Sequence, residues 1–192
     1  MNMLIVTATD SEITSSEINR NPILITGIGM INTTLQLTKE LMKKEYDLVI
    51  NMGVAGSFCD ELKNGDVVEV VEDYFSEVGF EDGESFSEFL DFDLKTEYLN
   101  NSRTNLRKVR AITVNTVHGN QNSINEIIER RNVDIESMEG ASVFKVCEEF
   151  NVPCLQIRSI SNKVEQRNKK NWDLDLAIRN LNIEVDKIIN NL

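Results

Sequence analysis

Residues 137–172 read SMEGASVFKVCEEFNVPCLQIRSISNKVEQRNKKNW, and this stretch decides the fold class. From Glu139 onward, Ala141, Val143, Phe144, Val146, Cys147 and Phe150 are apolar at helical rather than alternating spacing, which predicts a helix over 139–150. After Asn151-Val152-Pro153 comes Cys154-Leu155-Gln156-Ile157, a short apolar run of the length of a buried strand. Arg158-Ser159-Ile160-Ser161-Asn162 then places polar groups where that strand should end. Ligands of open α/β sheets gather at the carboxyl ends of strands, so a site is expected here.

Working outward, strands are predicted over 3–8, 22–26, 48–52, 67–71 and 111–114, each a short apolar or β-branched run beside turn residues. Helices are predicted over 32–44 and 123–131, the first entered through a tight turn at Gly27-Ile28-Gly29. Gly53-Val54-Ala55-Gly56 reads as a strand-to-loop turn, in which glycines let backbone N–H groups approach a ligand. Residues 74–105 are acidic, aromatic and irregular, with Glu81-Asp82-Gly83-Glu84 a solvated turn. Leu174, Ile178, Leu181, Val185, Ile188, Ile189 and Leu192 recur at helical spacing behind Asp173, a suitable N-cap. The chain has no internal repeat, low-complexity tract or linker, which favours one compact α/β domain over 1–192.

The composition narrows the function classes. A chain of 192 residues, 41% hydrophobic, builds one substantial core. Its net charge of -12 speaks against a nucleic-acid backbone as partner, which needs a basic face. Three cysteines, Cys59, Cys147 and Cys154, form no CxxC pair and suit reduced thiols in a cytoplasm. His118 is the only histidine, no cysteine cluster accompanies it, and neither a metal nor a cofactor is expected. No apolar run approaches a membrane span and no basic region precedes the first apolar run, so a soluble protein with no membrane partner is expected.

Met138-Glu139-Gly140 and Arg158-Ser159-Ile160-Ser161-Asn162 resemble the Met-Glu-Gly and Arg-x-Ile-Ser-Asp elements of the nucleoside phosphorylase and nucleosidase superfamily. The resemblance extends over nearly the whole chain. It is densest over 48–72 and 111–181. It implies a three-layer αβα fold with a central mixed sheet, a small nucleoside as substrate, and a homodimer or higher homo-oligomer. Asn162 stands where the adenine nucleosidases carry Asp. Together with Thr113-Val114-Asn115-Thr116-Val117-His118-Gly119 and Arg167-Asn168-Lys169-Lys170-Asn171-Trp172, this departure looks most like the branch that hydrolyses futalosine in menaquinone biosynthesis.

By composition alone Glu12 is a solvated loop carboxylate; the resemblance implies that it activates water after the first strand. It likewise implies that Glu139 binds the ribose hydroxyls, that Ala55 and Gly56 line the ribose and nucleophile site, and that Thr116 and Val117 present backbone to the purine. Met138 and Ser161 join the substrate-binding set, and Trp172 covers the 5' substituent. His118 is placed near the base without a share in the reaction. Val54, Met30 and Ile31 stand where phosphorylases bind phosphate, which favours water as nucleophile, while Ser57 and Arg20 keep phosphate open. Phe75, Phe80, Phe86, Phe89 and Phe92 could meet a second subunit or cover a sheet edge.

The residue chemistry supports a choice of base. A 6-oxopurine presents O6 and N7 on one edge. An asparagine amide at 162 can donate to that oxygen and accept from a protonated N7. Lys163, Arg167, Lys169 and Lys170 give the following loop a positive excess, and Arg167 is the candidate for binding a substrate carboxylate through its planar fork. The competing readings are a methylthioadenosine/adenosylhomocysteine nucleosidase, a purine nucleoside phosphorylase and a non-catalytic nucleoside-binding protein.

Overall fold

The computed structural model describes residues 1–83, 85–89 and 93–192. Among them, strands β1 (Met3–Thr7), β2 (Ile23–Ile25), β3 (Leu48–Ser57), β4 (Val67–Phe75), β7 (Glu97–Leu99), β8 (Arg107–Thr113), β9 (Ile135–Ser137) and β10 (Cys154–Lys163) form one mixed sheet. Strands β5 (Gly79–Asp82) and β6 (Ser85–Glu88) make a separate hairpin. Helices α1 (Met30–Leu41), α2 (Gln121–Arg130), α3 (Gly140–Glu149) and α4 (Leu174–Asn191) cover the sheet. The fold is the α/β arrangement of layers expected, with a central mixed sheet.

The sheet closes on itself. β10 pairs with both β3 and β4, β4 with β8, β8 with β9, and β9 with β3, while β1 and β2 extend from β3 as a parallel flap. The strands of this ring are covered on both faces, hence the apolar runs rather than clean alternation. Side-chain alternation along β1 still sorts the layers. Leu4 and Val6 pack with Leu37 and Leu41 of α1 and with Val143 and Val146 of α3, whereas Met3 and Ile5 pack with Leu181 and Val185 of α4. Leu181 and Val185 are fully buried, each contributing about 1.5–3 kcal/mol. Asp173 caps α4 as expected, its carboxylate accepting from the Leu176 N–H at 3.0 Å.

Three expectations need correction. Gly53 to Gly56 is not a turn: β3 runs on to Ser57, because β10 pairs with it along the whole length and keeps the glycines in the ladder. For the same reason Arg158 to Asn162 lies inside β10 rather than beyond it. Residues 74–105 are also more regular than their composition suggests, since β4 continues to Phe75, β7 adds to its edge and the β5–β6 hairpin follows. Cross-strand pairing outweighs local preference in each case. Phe75 packs on Tyr98, Phe80 meets Phe89 with ring centroids 5.3 Å apart, and the Arg130 guanidinium covers Phe86. Phe92 and Glu84 lie outside the described residues. Among the described residues no helix is long and apolar enough to cross a membrane.

Candidate functional site

The carboxyl ends of β1, β3 and β10, the start of α3 and the first turns of α4 enclose a cavity of about 500 Å³. Glu12 reaches it from a single 3-10 turn after β1, where Thr9 and Glu12 form a capping box. Its Oε2 accepts from Thr7 Oγ1 at 2.7 Å and the Thr9 N–H at 2.9 Å, leaving Oε1 with one long contact, 3.3 Å from the Val54 N–H. One oxygen is thus anchored and the other faces the crevice.

Glu139 stands at the N-cap of α3 but turns its carboxylate away from the helix, accepting from the Gly29 N–H at 2.9 Å. Burial raises its pKa, and the Glu12 charge adds to this, while the Arg158 guanidinium and the Gly29 bond oppose it. Glu12, Glu139, Thr33, Asn51, Gly53 and Arg158 converge on a small polar crevice that shares both carboxylates with the cavity. Arg158 is only 1% exposed; Nη1 donates to the Ile157 carbonyl at 3.2 Å and Nε has no hydrogen-bond partner. A buried guanidinium between carboxylates is the charge arrangement that a buried cation requires.

Gly53 makes room for this cluster. A Cβ there would lie 2.9 Å from Glu12 Oε1 and 3.4 Å from Arg158 Nη1. Below the cluster, fully buried Asp73 accepts from Thr113 Oγ1 at 2.9 Å and Gln156 Nε2 at 2.8 Å. Burial pushes its pKa up to about 7 against those two bonds and the charge of Arg158.

At the other end of the cavity, a bulge at Ser161 interrupts the β10–β3 register and sets Asn162 opposite Gly56. Asn162 Oδ1 accepts from Ser161 Oγ at 2.8 Å and Nδ2 donates to the Lys163 carbonyl at 2.9 Å. Each bond leaves one valence, a lone pair on Oδ1 and a proton on Nδ2. At the mouth the Arg167 guanidinium stacks over Trp172, 5.3 Å from the ring centroid, and both residues also border an adjoining hollow of about 400 Å³ with Lys169.

The cavity wall thus includes Glu12, Ala55, Gly56, Val117, Met138, Glu139, Ser161, Asn162, Arg167 and Trp172. Thr116 is the exception. It is exposed and outside that wall, because the Glu77 carboxylate captures the N–H groups of Asn115 at 2.9 Å and Thr116 at 3.2 Å. His118 lines the cavity on Glu136, with Nδ1 2.6 Å from Oε2. Two participants escaped the sequence reading of the site. Arg158 had a visible signal, a charge inside an apolar run; Glu136 had none, since its role depends on pairing across β9 and β3.

Ser57 and Arg20, which left phosphate open, both lie outside the cavity wall. Ser57 Oγ donates to the Cys59 carbonyl at 3.0 Å, and Arg20 pairs with Glu17 on the surface.

A family model described as the Phosphorylase superfamily matches residues 8–190. The 5'-methylthioadenosine/S-adenosylhomocysteine nucleosidase of Shewanella oneidensis is 28% identical over 87% of this chain and 78% of its own. The enzyme of the same name from Psychromonas ingrahamii is 27% identical over 94% and 86%. In structure, the chain is similar to the Neisseria meningitidis nucleosidase of that name in complex with methylthio-immucillin-A, with a TM-score of 0.82, 19% identity and 100% of both chains covered. It is equally similar to Helicobacter pylori futalosine hydrolase, with a TM-score of 0.85, 18% identity, and 99% and 97% covered.

Proposed function

Because the chain belongs to the Phosphorylase superfamily, we propose that it hydrolyses futalosine, releasing hypoxanthine and dehypoxanthine futalosine within menaquinone biosynthesis. The chain is an enzyme, an N-glycosyl hydrolase of the nucleosidase kind. In this reading residues 1–192 act as one nucleosidase domain, and the protein works as a homo-oligomer. Ile28, Ile31 and Leu35 are exposed apolar residues at and before the first turns of α1, beside the cavity edge, and would supply the contact.

Water is the nucleophile. Glu12 Oε1, the less committed oxygen, takes its proton as the water oxygen bonds to the sugar carbon and the bond to the purine nitrogen breaks; a positioned base of this sort contributes about 10²- to 10⁴-fold. Arg158 keeps the Glu12 carboxylate company in the crevice and can hold the water with it. Glu139 accepts from the ribose hydroxyls, and its negative charge favours the cationic sugar of the transition state. Arg167, stacked on Trp172 at the mouth, binds the carboxylate at the far end of futalosine.

The observation that carries the choice of substrate is the amide of Asn162, oriented by Ser161 and the Lys163 carbonyl, with one donor and one acceptor free. It donates to O6 of hypoxanthine and accepts from the N7–H that the leaving base gains from solvent water as its bond to the sugar breaks. The names of the curated relatives favour a second reading, an adenine nucleosidase acting on methylthioadenosine or adenosylhomocysteine. Incubation without phosphate, separately with futalosine and methylthioadenosine, separates the two by the free base released. Hypoxanthine from futalosine alone is expected. Adenine release establishes the second reading, and a requirement for phosphate establishes a phosphorylase.

A further inference from the structure

The same cavity holds an ionisable pair that the mechanism above leaves unused. His118 is the only histidine in the chain, and it sits on Glu136, itself 4% exposed. Glu136 accepts from the His118 backbone N–H at 3.1 Å as well as meeting Nδ1 at 2.6 Å. A carboxylate can only accept, so Nδ1 carries the proton, and Nε2 of the neutral ring is left with a bare lone pair. Nε2 has no hydrogen bond to any described residue, and the ring lines the cavity with its flank against Phe58, centroids 6.0 Å apart.

The sheet register places this pair relative to the purine. Glu136 pairs with Gly56 across β9 and β3, and Gly56 pairs with Asn162 across β3 and β10. The three residues therefore form one rung, and residues aligned across neighbouring strands rise on the same face. Gly56 has no side chain, so its neighbours lean over it. The Cβ it lacks would lie 2.9 Å from Val164 Cγ2, 3.3 Å from Asn162 Nδ2 and 3.6 Å from Glu136 Cγ. Asn162 and Glu136 therefore converge over Gly56, Nδ2 and Cγ lying within about 7 Å of each other. A planar base in the cavity would meet the amide of Asn162 and the imidazole of His118, both of which line it.

We propose that His118, oriented by Glu136, reads the N1 position of the purine, its Nε2 accepting the N1–H of a 6-oxopurine. The inference rests on the 6-oxopurine reading of the site. Asn162 and His118 then select on adjoining atoms: one supplies a donor to O6, the other an acceptor to N1–H. Adenine fails both, since it carries a donor at C6 and a lone pair at N1. A lone pair set against the lone pair of Nε2 is an active penalty on the wrong base rather than a missing attraction.

The test compares kcat/KM for futalosine and its 6-amino counterpart, without phosphate, in wild type and three variants. His118→Phe keeps a ring against Phe58 but removes the acceptor, so the preference for futalosine should fall about tenfold or more. His118→Gln can again present an acceptor and should recover part of that preference. In Glu136→Gln the amide can donate to Nδ1, shifting the imidazole proton to Nε2; futalosine turnover should fall while turnover of the amino substrate rises. Equal losses on both substrates in all three variants, or an unchanged preference in His118→Phe, would overturn the role of the pair while leaving Asn162 untouched. Wild-type protein that releases adenine and no hypoxanthine overturns this inference together with the 6-oxopurine reading.

Discussion

Replacing Gly53 by alanine isolates the position of Glu12 from its chemistry. The added methyl would stand 2.9 Å from Glu12 Oε1, where ordinary contact begins at 3.4 Å, so the oxygen must withdraw by about 0.5 Å. It cannot pivot freely, because Oε2 is held by Thr7 and Thr9 at 2.7 and 2.9 Å. The other near neighbour, Arg158 Nη1 at 3.4 Å, is itself buried. Oε1 therefore moves off the path to the sugar carbon. Displacements of this size cost roughly 10- to 100-fold in rate, about 1.4–2.7 kcal/mol of barrier. Stability should move little: Gly53 is not among the glycines with positive φ, and alanine in a strand regains about 0.5–1 kcal/mol of the backbone entropy that glycine loses. Steady-state hydrolysis without phosphate should show kcat reduced 10- to 100-fold with KM nearly unchanged, and urea unfolding a free energy within about 1 kcal/mol of wild type. Wild-type kcat in a correctly folded Gly53→Ala protein would refute Glu12 as the base.

Three other perturbations probe the surroundings. Arg158→Met leaves Glu12, Glu139 and Asp73 without their buried counter-charge, and urea unfolding at pH 7 should show a loss of about 3–5 kcal/mol together with loss of turnover. The Asp73 carboxyl keeps its proton in the folded state up to about 7, whereas the unfolded chain releases it near 3.8, so this residue makes stability fall as pH rises between those values. Asp73→Asn should flatten that part of the profile of urea midpoint against pH; a slope equal to that of wild type would place the titration elsewhere. Arg167→Ala should raise KM for futalosine about tenfold or more and leave inosine turnover unchanged, since only the former carries the carboxylate. Equal losses on both would mean that Arg167 supports Trp172 rather than the substrate.

Much of this was legible in the chain because helix faces and strand runs are local signals. The 139–150 periodicity predicts α3 within a residue at each end, and Asp173 marks the start of α4. The extent of β3 and β10 was not legible, since Gly53 and Arg158 carry no strand preference and stay in the ladder through pairing with each other and, for Arg158, with Val68 of β4. Thr116 and Glu136 show the same limit at the site. One is drawn out of the wall by Glu77, 39 residues away, and the other is brought in across two strands; neither partner is marked in the local pattern.

The β3–β10 pairing joins the Glu12 and Glu139 end of the cavity to the Asn162 end. Arg158 lies opposite Gly53, and Asn162 opposite Gly56, so at both points a polar side chain on β10 faces a residue without one on β3. Side chains alternate along a strand, and a one-residue change of register sends every following side chain to the other face. The extra residue at Ser161 makes that change between the two points. Without it, Asn162 would fall on the face opposite to the one it takes, away from Gly56 and from the Glu136 and His118 pair. Ser161 also fixes the amide it displaces, donating to Asn162 Oδ1 at 2.8 Å while its own carbonyl accepts from the Asp173 N–H at 2.8 Å. The bulge thus ties the orientation of the Asn162 amide to the N-cap of α4, and Asp173→Pro, which removes that N–H, should alter the ratio of kcat/KM for futalosine and its 6-amino counterpart before it alters the rate of hydrolysis.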